Sequence, residues 1–400
     1  MNTTVVGAGY VGFSLAVLFA GGHDVTVLET NENKVRTIND GKSPLSEKAL
    51  VERTPKVRSR LKATSDPSEA YEGAELVIVA VPTDFDETRG SFNVGILTEA
   101  LTTAIERTTD ATVVIKSTIP TGYTKRIRKK LNSNRILFSP EFMREGRSLF
   151  DVSNPTRIVA GYAKGDEESR KRAVEFCEIY RELVENDPKT LVMTAEEAES
   201  VKLFANSYLA MRVAFFNELD AFCEANDLDS RNVIDGVCSD SRIGDGYANP
   251  SFGYGGYCFP KDSRQLASQM GSLPGELIRA IPDANDVRIE TIAKKAMSET
   301  DGTIGIYGLS MKTGSDNSRS SSSLRVARRI NDLGGDVLVF DERNRTADPD
   351  LKFADSFEEF TSSVDLILAN RIPRGSELED YVKNTENGVP VYTRDVYGEG

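Results

Sequence analysis

The stretch TTVVGAGYVG, residues 3–12, constrains this chain more than any other. A β-branched run ends at Gly7, and Gly7, Gly9 and Gly12 fall in GxGxxG spacing at the opening of a helix-compatible segment. Glycines so spaced permit a tight turn, close approach of the backbone to a pyrophosphate, and close helix–strand packing. A pyrophosphate in that turn lies on a helix N-terminus, where free N–H groups and the dipole favour anions. A turn made for packing alone shares the spacing, so the surroundings decide. The next β-branched run, DVTVLE, ends in Glu29, where a carboxylate accepts hydrogen bonds from ribose hydroxyls. Glu29 repels a 2′-phosphate, which favours NAD over NADP, while nearby Lys34 and Arg36 work against that preference.

The alternation continues. ELVIVAVP (75–82), ATVVIKST (111–118) and RILFSPE (135–141) read as further buried parallel strands, and RIVAG (157–161) and TLVMT (190–194) extend the sheet. Residues 1–194 are therefore expected to form a doubly wound Rossmann domain. From Ala195 the sequence AEEAESVKLFANSYLAMRVAFFNELDAFCEAND has no glycine or proline and carries apolar residues at helical spacing. It predicts one unusually long helix, of the kind that crosses between domains or forms a dimer interface. Residues 195–298 are assigned to a helical domain around it. GTIGIYG (302–308), DVLVFD (336–341) and DLILAN (365–370) predict a second α/β block over 299–400. The fold class is α/β, with two Rossmann-like doubly wound domains joined by a helical domain.

Composition narrows the chemistry. A net charge of −13 provides no basic footprint for nucleic acid or for an anionic membrane surface. The apolar run 5–22 lacks a basic leader and is broken by glycines, and no other run is long enough to span a bilayer. A cytoplasmic protein is expected. The single histidine, His23, lies in a Gly-Gly-His-Asp turn and leaves no means of building a Ser-His-Asp triad or a multi-histidine metal site. Four dispersed cysteines without a CxxC pair signal neither a disulfide framework nor zinc. Acid–base work falls to carboxylates, lysines, cysteines or water.

Lys202 and Asn206 are four apart and share one face of the long helix. Such a pair is most often simply solvated, but on a face this apolar it also suits holding a developing oxyanion. Thr118, Glu141 and Glu145 follow strand ends, where a doubly wound sheet lines its ligand crevice. Glu141 is read equally as a base or as a helix-cap carboxylate. In FGYGGYCFPKD (252–262), Cys258 follows a glycine-rich approach and is trailed by Lys261 and Asp262. Cysteine is commonly an inert small hydrophobe, the reading preferred for Cys177, Cys223 and Cys238. Nearby cations and a helix start favour a thiolate, so Cys258 is equally a nucleophile. A cysteine working beside NAD implies oxidation of an alcohol to an acid through a thiohemiacetal and a thioester.

Across essentially its whole length the sequence resembles the UDP-glucose/GDP-mannose dehydrogenases, and within them the short bacterial and archaeal UDP-glucose 6-dehydrogenase type. The resemblance rests on VVGAGYVG, VPTDFD, IKSTIPTG, FSPEFMREG, AEEAESVKLFANSYLAMRVAFFNELD, RIGDGYANPSFGYGGYCFPKD and MKTGSDNSRSSS. It implies Cys258 as the nucleophile, Lys202 and Asn206 as oxyanion stabilisers, Asp262 with Thr118 and a water as general base, and Glu141 assisting thioester hydrolysis. It implies NAD contacts from Val11, Glu29, Lys34, Thr83, Thr118, Glu145, Lys261 and Arg319. It implies UDP-sugar contacts from Glu141, Phe142, Met143, Arg144, Glu145, Lys202 and Asn206, from Tyr247, Asn249, Ser251, Gly253 and Gly255, and from Lys312. An arginine matching Arg242 enters from the neighbouring subunit of a homodimer. Dehydrogenases of UDP-N-acetylmannosamine or GDP-mannose share this core. A 2-hydroxy-acid dehydrogenase leaves Cys258 and the third block without a purpose, and a silent NAD sensor leaves Cys258, Lys202 and Asp262 without one.

Overall fold

A computed structural model describes residues 1–309, 321–341, 348–384 and 388–398, and the chain divides into two compact units, Met1–Phe204 and Ala205–Gly400.

The first unit is built on ten strands: β1 (Asn2–Val6), β2 (Asp24–Leu28), β3 (Leu61–Thr64), β4 (Leu76–Val79), β5 (Phe85–Asp86), β6 (Ser91–Phe92), β7 (Thr112–Ile115), β8 (Ile136–Phe138), β9 (Arg157–Tyr162) and β10 (Lys189–Thr194). Strands β5 and β6 form a separate antiparallel hairpin. The other eight make one sheet in the order β10-β9-β8-β7-β4-β1-β2-β3. From β3 to β8 every pairing is parallel, and the order is that of a dinucleotide-binding fold, with its reversal point between β1 and β4. Val5, Val27, Ile78 and Val114 pack on one face, and Val79, Val113, Ile115 and Phe138 on the other, so the strands read as continuous apolar runs.

One departure from the expected series lies at β9. It extends the sheet, but it meets β8 antiparallel through Phe138 and Gly161, and β10 then runs parallel to β9. Between β8 and β9 the only helix is the short Ser148–Ser153, not the long covering helix of a parallel crossover, so the chain returns in the opposite direction.

The second unit holds the all-parallel sheet of β11 (Ile304–Tyr307), β12 (Val337–Phe340), β13 (Lys352–Phe353), β14 (Leu366–Leu368) and β15 (Val391–Tyr392), ordered β13-β12-β11-β14-β15. Its helices include Ser230–Cys238, Cys258–Met270 and Glu276–Glu299. The expected long helix spans Ala195–Ala225; Glu196 and Glu197 occupy its first turn, where acidic residues complement the dipole. No helix among the described residues is long and apolar enough to cross a membrane.

The second unit is tied together by a buried charge network. Asp220 of the long helix is fully buried, and its carboxylate accepts from Arg288 at 2.6 Å, from Arg394 Nε at 2.9 Å and from the Ser230 hydroxyl at 2.8 Å. Arg288 also donates to the carbonyls of Ser251 and Asn217. Burial opposes ionisation of Asp220, but its hydrogen bonds and charge pairing with Arg394 and Arg288 win and hold the carboxyl below its ordinary 3.8. The resulting stabilisation is complete above that ordinary value and is lost as the pH falls through the lower folded-state value. Asp220→Asn takes the carboxylate from buried Arg288 and leaves Arg394 with Glu224 alone, and is expected to cost about 3–5 kcal/mol in denaturant unfolding at neutral pH. The cost shrinks as the pH falls from that ordinary value through the lower folded-state value, where the folded parent's carboxyl takes up a proton. A cost under about 1 kcal/mol at neutral pH would show the network to be dispensable.

Candidate active site

In the first unit, Gly7 leaves β1 with φ +98°, and a Cβ there would stand 2.5 Å from the carbonyl oxygen of Ala80. A Cβ on Gly12 would stand 2.0 Å from the Gly7 carbonyl oxygen. Only glycines allow this turn to close onto the helix Tyr10–Phe19, whose N-terminus has Gly9 as a cap with no side chain in the way. The Glu29 carboxylate at the end of β2 accepts from the backbone N–H groups of Ala8 at 2.9 Å and Asn31 at 3.0 Å. Lys34 donates to the Ala8 carbonyl at 3.2 Å. Carboxylate and ammonium are thus fixed against the glycine turn, where a dinucleotide's ribose and pyrophosphate would need them; this donor set fits NAD.

The ends of β4 and β7 are stitched together. The Ser117 hydroxyl donates to the Val81 carbonyl at 2.7 Å and accepts from the Val81 N–H at 2.9 Å, and Thr83 donates to the Thr118 carbonyl at 2.6 Å. Beyond β8, the Glu141 carboxylate lies 3.3 Å from Lys116 Nζ and accepts from the Phe142 N–H at 2.9 Å. Lys202 is buried and donates to the Glu141 carbonyl at 2.5 Å, with its ammonium 5.4 Å from the Phe142 ring. The solvated alternative for Lys202 is therefore removed, and Glu141 is not a helix cap. Met143 packs on the core and Glu145 is half-buried. Arg144 makes a two-point bond with Asp151, at 2.7 and 3.0 Å.

In the second unit, Cys258 is the first residue of the helix Cys258–Met270 and is half-buried, a position where the helix dipole favours a thiolate. One turn on, the fully buried Asp262 carboxylate accepts from Asn206 Nδ2 at 2.5 Å and lies 3.1 Å from Lys261 Nζ, which itself sits 4.8 Å from the Tyr257 ring. Asn206 is thus no more solvated than Lys202. Approaching Cys258, the loop is held by side-chain amides: Asn217 accepts from Ser251 N at 2.8 Å, Asn370 from Phe252 N at 2.8 Å, and Asn285 from Tyr254 N at 2.8 Å. A Cβ on Gly253 would lie 2.8 Å from Asn285 Oδ1, so the loop admits only glycine there. Asn249 donates to Asp395, Gly255 is half-buried, and Tyr247 contacts the Phe259 ring. Arg242 has a side chain 87 % exposed, paired with Asp240 at 2.6 Å. Lys312 and Arg319 lie outside the described residues.

Asn217, Asn285, Asn370 and Lys116 were not singled out by sequence. Asn370 and Lys116 each close an apolar run, in LILAN and VVIK, whereas Asn217 and Asn285 lie among charged residues in FFNELD and DANDVR and carry no such signal.

Comparison with known proteins settles the family. Residues 1–184 match the NAD binding domain of the UDP-glucose/GDP-mannose dehydrogenase family, and residues 196–287 match its central domain. The chain is 39% identical over 403 residues to a UDP-glucose 6-dehydrogenase of Streptococcus pneumoniae, covering 100% of both chains. This chain belongs to the UDP-glucose/GDP-mannose dehydrogenase family. Another member, a UDP-glucose 6-dehydrogenase of Campylobacter jejuni, is 37% identical over 96% of this chain and 98% of its own. Among solved structures, a UDP-glucose dehydrogenase from the hyperthermophilic archaeon Pyrobaculum islandicum superposes with a TM-score of 0.87 at 28% identity, covering 100% of this chain and 94% of that one. Family membership makes the chain an NAD-dependent nucleotide-sugar dehydrogenase and accounts for the glycine turn, Glu29 and the second parallel sheet together.

Proposed function

We propose that this enzyme oxidises the C6 hydroxyl of UDP-glucose to the carboxylate of UDP-glucuronate. The observation that carries the reading is Cys258 at the opening of a helix whose first turn buries Asp262 against Asn206 and Lys261. The substrate comes from the full-length relatives, which carry the name UDP-glucose 6-dehydrogenase. NAD, when bound, supplies the hydride acceptor, one equivalent for each two-electron step.

Asp262, through a water shared with Thr118, takes the C6 hydroxyl proton in the first oxidation. The Lys202 ammonium and the Asn206 amide stabilise the oxyanion. The Cys258 thiolate then adds to the C6 aldehyde, forming a C–S bond and a thiohemiacetal whose oxygen is held by the same two donors. A second oxidation at that carbon leaves a thioester. Water adds to its carbonyl, Glu141 takes the water proton, and the C–S bond breaks to return the thiolate.

Gly7, Gly9, Val11, Gly12, Glu29, Lys34, Thr83, Glu145, Lys261 and Arg319 are assigned to the dinucleotide. Phe142, Met143, Arg144, Tyr247, Asn249, Ser251, Gly253, Gly255 and Lys312 are assigned to the sugar nucleotide. Residues 1–194 form the NAD domain, 195–298 the helical domain and 299–400 the UDP-binding domain of this reading. The enzyme acts as a homodimer in which Arg242 completes the neighbouring site. In support, Tyr208, Phe215 and Phe222, seven residues apart on one helix face, are 55, 55 and 64 % exposed. NAD and nucleotide sugars are cytoplasmic metabolites, which sets the reaction there.

A different nucleotide sugar is the second reading. Offering UDP-glucose, UDP-N-acetylmannosamine and GDP-mannose separately with NAD tests both. NADH is expected with UDP-glucose at a rate at least about tenfold above the others; a reversed preference keeps the chemistry and moves the substrate.

A further inference from the structure

Lys116 follows β7 directly and has no role in the reaction as assigned above. Its side chain is 2 % exposed, and its ammonium lies 3.3 Å from Glu141 Oε2. The rings of Tyr180 and Phe176, from the helix Glu167–Leu183, stand 4.9 and 5.8 Å away. An ammonium this deeply buried is costly unless an anion and polarisable faces replace its water. Other groups nearby do not compete for it. Burial pushes the Cys177 thiol up to about 12, although Lys116 pulls it back, and burial reinforced by the Glu141 charge holds the Tyr180 phenol well above its ordinary value. The remaining cations facing this segment are Lys202, bonded to the Glu141 carbonyl, and Arg157 of β9, stacked 3.8 Å over the Phe142 ring. Glu141 is therefore gripped at three points: one carboxylate oxygen by Lys116, the other by the Phe142 N–H, and its carbonyl by Lys202.

We propose that Lys116 is a positioning residue for Glu141, holding its carboxylate in one orientation so that it accepts the proton of the water that cleaves the Cys258 thioester. No oxidation or reduction occurs in this step: the water oxygen bonds to the thioester carbon, its proton passes to Glu141, and the C–S bond breaks with its electron pair leaving on the thiolate. The inference rests on the UDP-glucose reading above. A purely structural ion pair would instead be replaceable by apolar groups with little consequence for the chemistry.

The test uses the full chain with Lys116→Met, Lys116→Gln and Glu141→Gln, singly and combined. Lys116→Met is expected to lower kcat about 10–100-fold while kcat/KM for UDP-glucose stays within about threefold, because hydrolysis follows the oxidation steps. Because hydrolysis is the step affected, a rapid burst of two NADH per site precedes the slow steady state, and intact mass finds the sugar acid attached to Cys258. In a Glu141→Gln background, Lys116→Met changes kcat less than about twofold. Lys116→Gln, similar in reach and able to donate, carries the same expectations should the methionine variant not fold. Parent-like kcat, a loss of kcat without the burst of two NADH, or an equal loss in the Glu141→Gln background, would overturn the inference. A parent enzyme that reduces no NAD with UDP-glucose sinks the substrate reading instead, so the two failures are distinct.

Discussion

Replacing Cys258 with serine is expected to leave a folded protein that binds NAD and turns over UDP-glucose at least about 10³-fold more slowly. Cys258 opens a thirteen-residue helix, and that N-terminus favours a negative sulfur at neutral pH. A serine hydroxyl has an intrinsic acidity too low for the same help to ionise it. Any oxygen ester that does form is also a poorer leaving system than a thioester. The variant therefore stalls at the aldehyde or at a covalent ester, detectable by intact mass. NAD binding is unchanged, because the glycine turn and Glu29 belong to the first unit. Full steady-state turnover by Cys258→Ser would falsify the nucleophile assignment.

Lys202→Ala has the next largest expected effect, a loss of about 10²–10³ in kcat, the range for removing one oxyanion donor from a preorganised site. The lysine is buried, and its ammonium is anchored by the Glu141 carbonyl at 2.5 Å and lies 5.4 Å from the Phe142 ring. The ammonium is therefore held in place before any substrate arrives, as an oxyanion donor of the proposed reaction needs to be. Lys202→Met separates charge from packing, since it keeps most of the apolar stem. Both variants are expected to lose kcat similarly while KM for NAD stays within a few-fold. Near-normal kcat in either would mean that the buried ammonium serves the Glu141 turn alone.

The glycine turn, the carboxylate closing β2, the 31-residue helix and the central strands of both sheets were legible in the sequence because each follows from a local pattern, whereas the short edge strands β3, β13 and β15 were not. The reversal at β9 was not. Apolar periodicity marks a strand without fixing its direction, which here follows from the connection between Phe138 and Arg157. The site divides in the same way. Cys258, Lys261 and Asp262 announce themselves by adjacency, whereas Asn206 meets Asp262 across 56 residues of chain, a pairing that residue spacing cannot supply. Lys202 illustrates the limit best: an i,i+4 polar pair reads as solvated until burial says otherwise. The amides of Asn217, Asn285 and Asn370 escaped notice for a related reason, since each acts on the backbone of a distant loop. Lys116 sits in plain view inside IKSTIPTG, yet only its 3.3 Å approach to Glu141 gives it a role.

The most direct measurement is the amount of NADH formed for each UDP-glucose consumed, followed to completion with the purified enzyme. Two NADH per sugar, with UDP-glucuronate as product, is the expected result, because a thiolate at Cys258 carries the aldehyde through a second oxidation. One NADH per sugar would contradict it, leaving the reaction at the aldehyde and Cys258 without a covalent role.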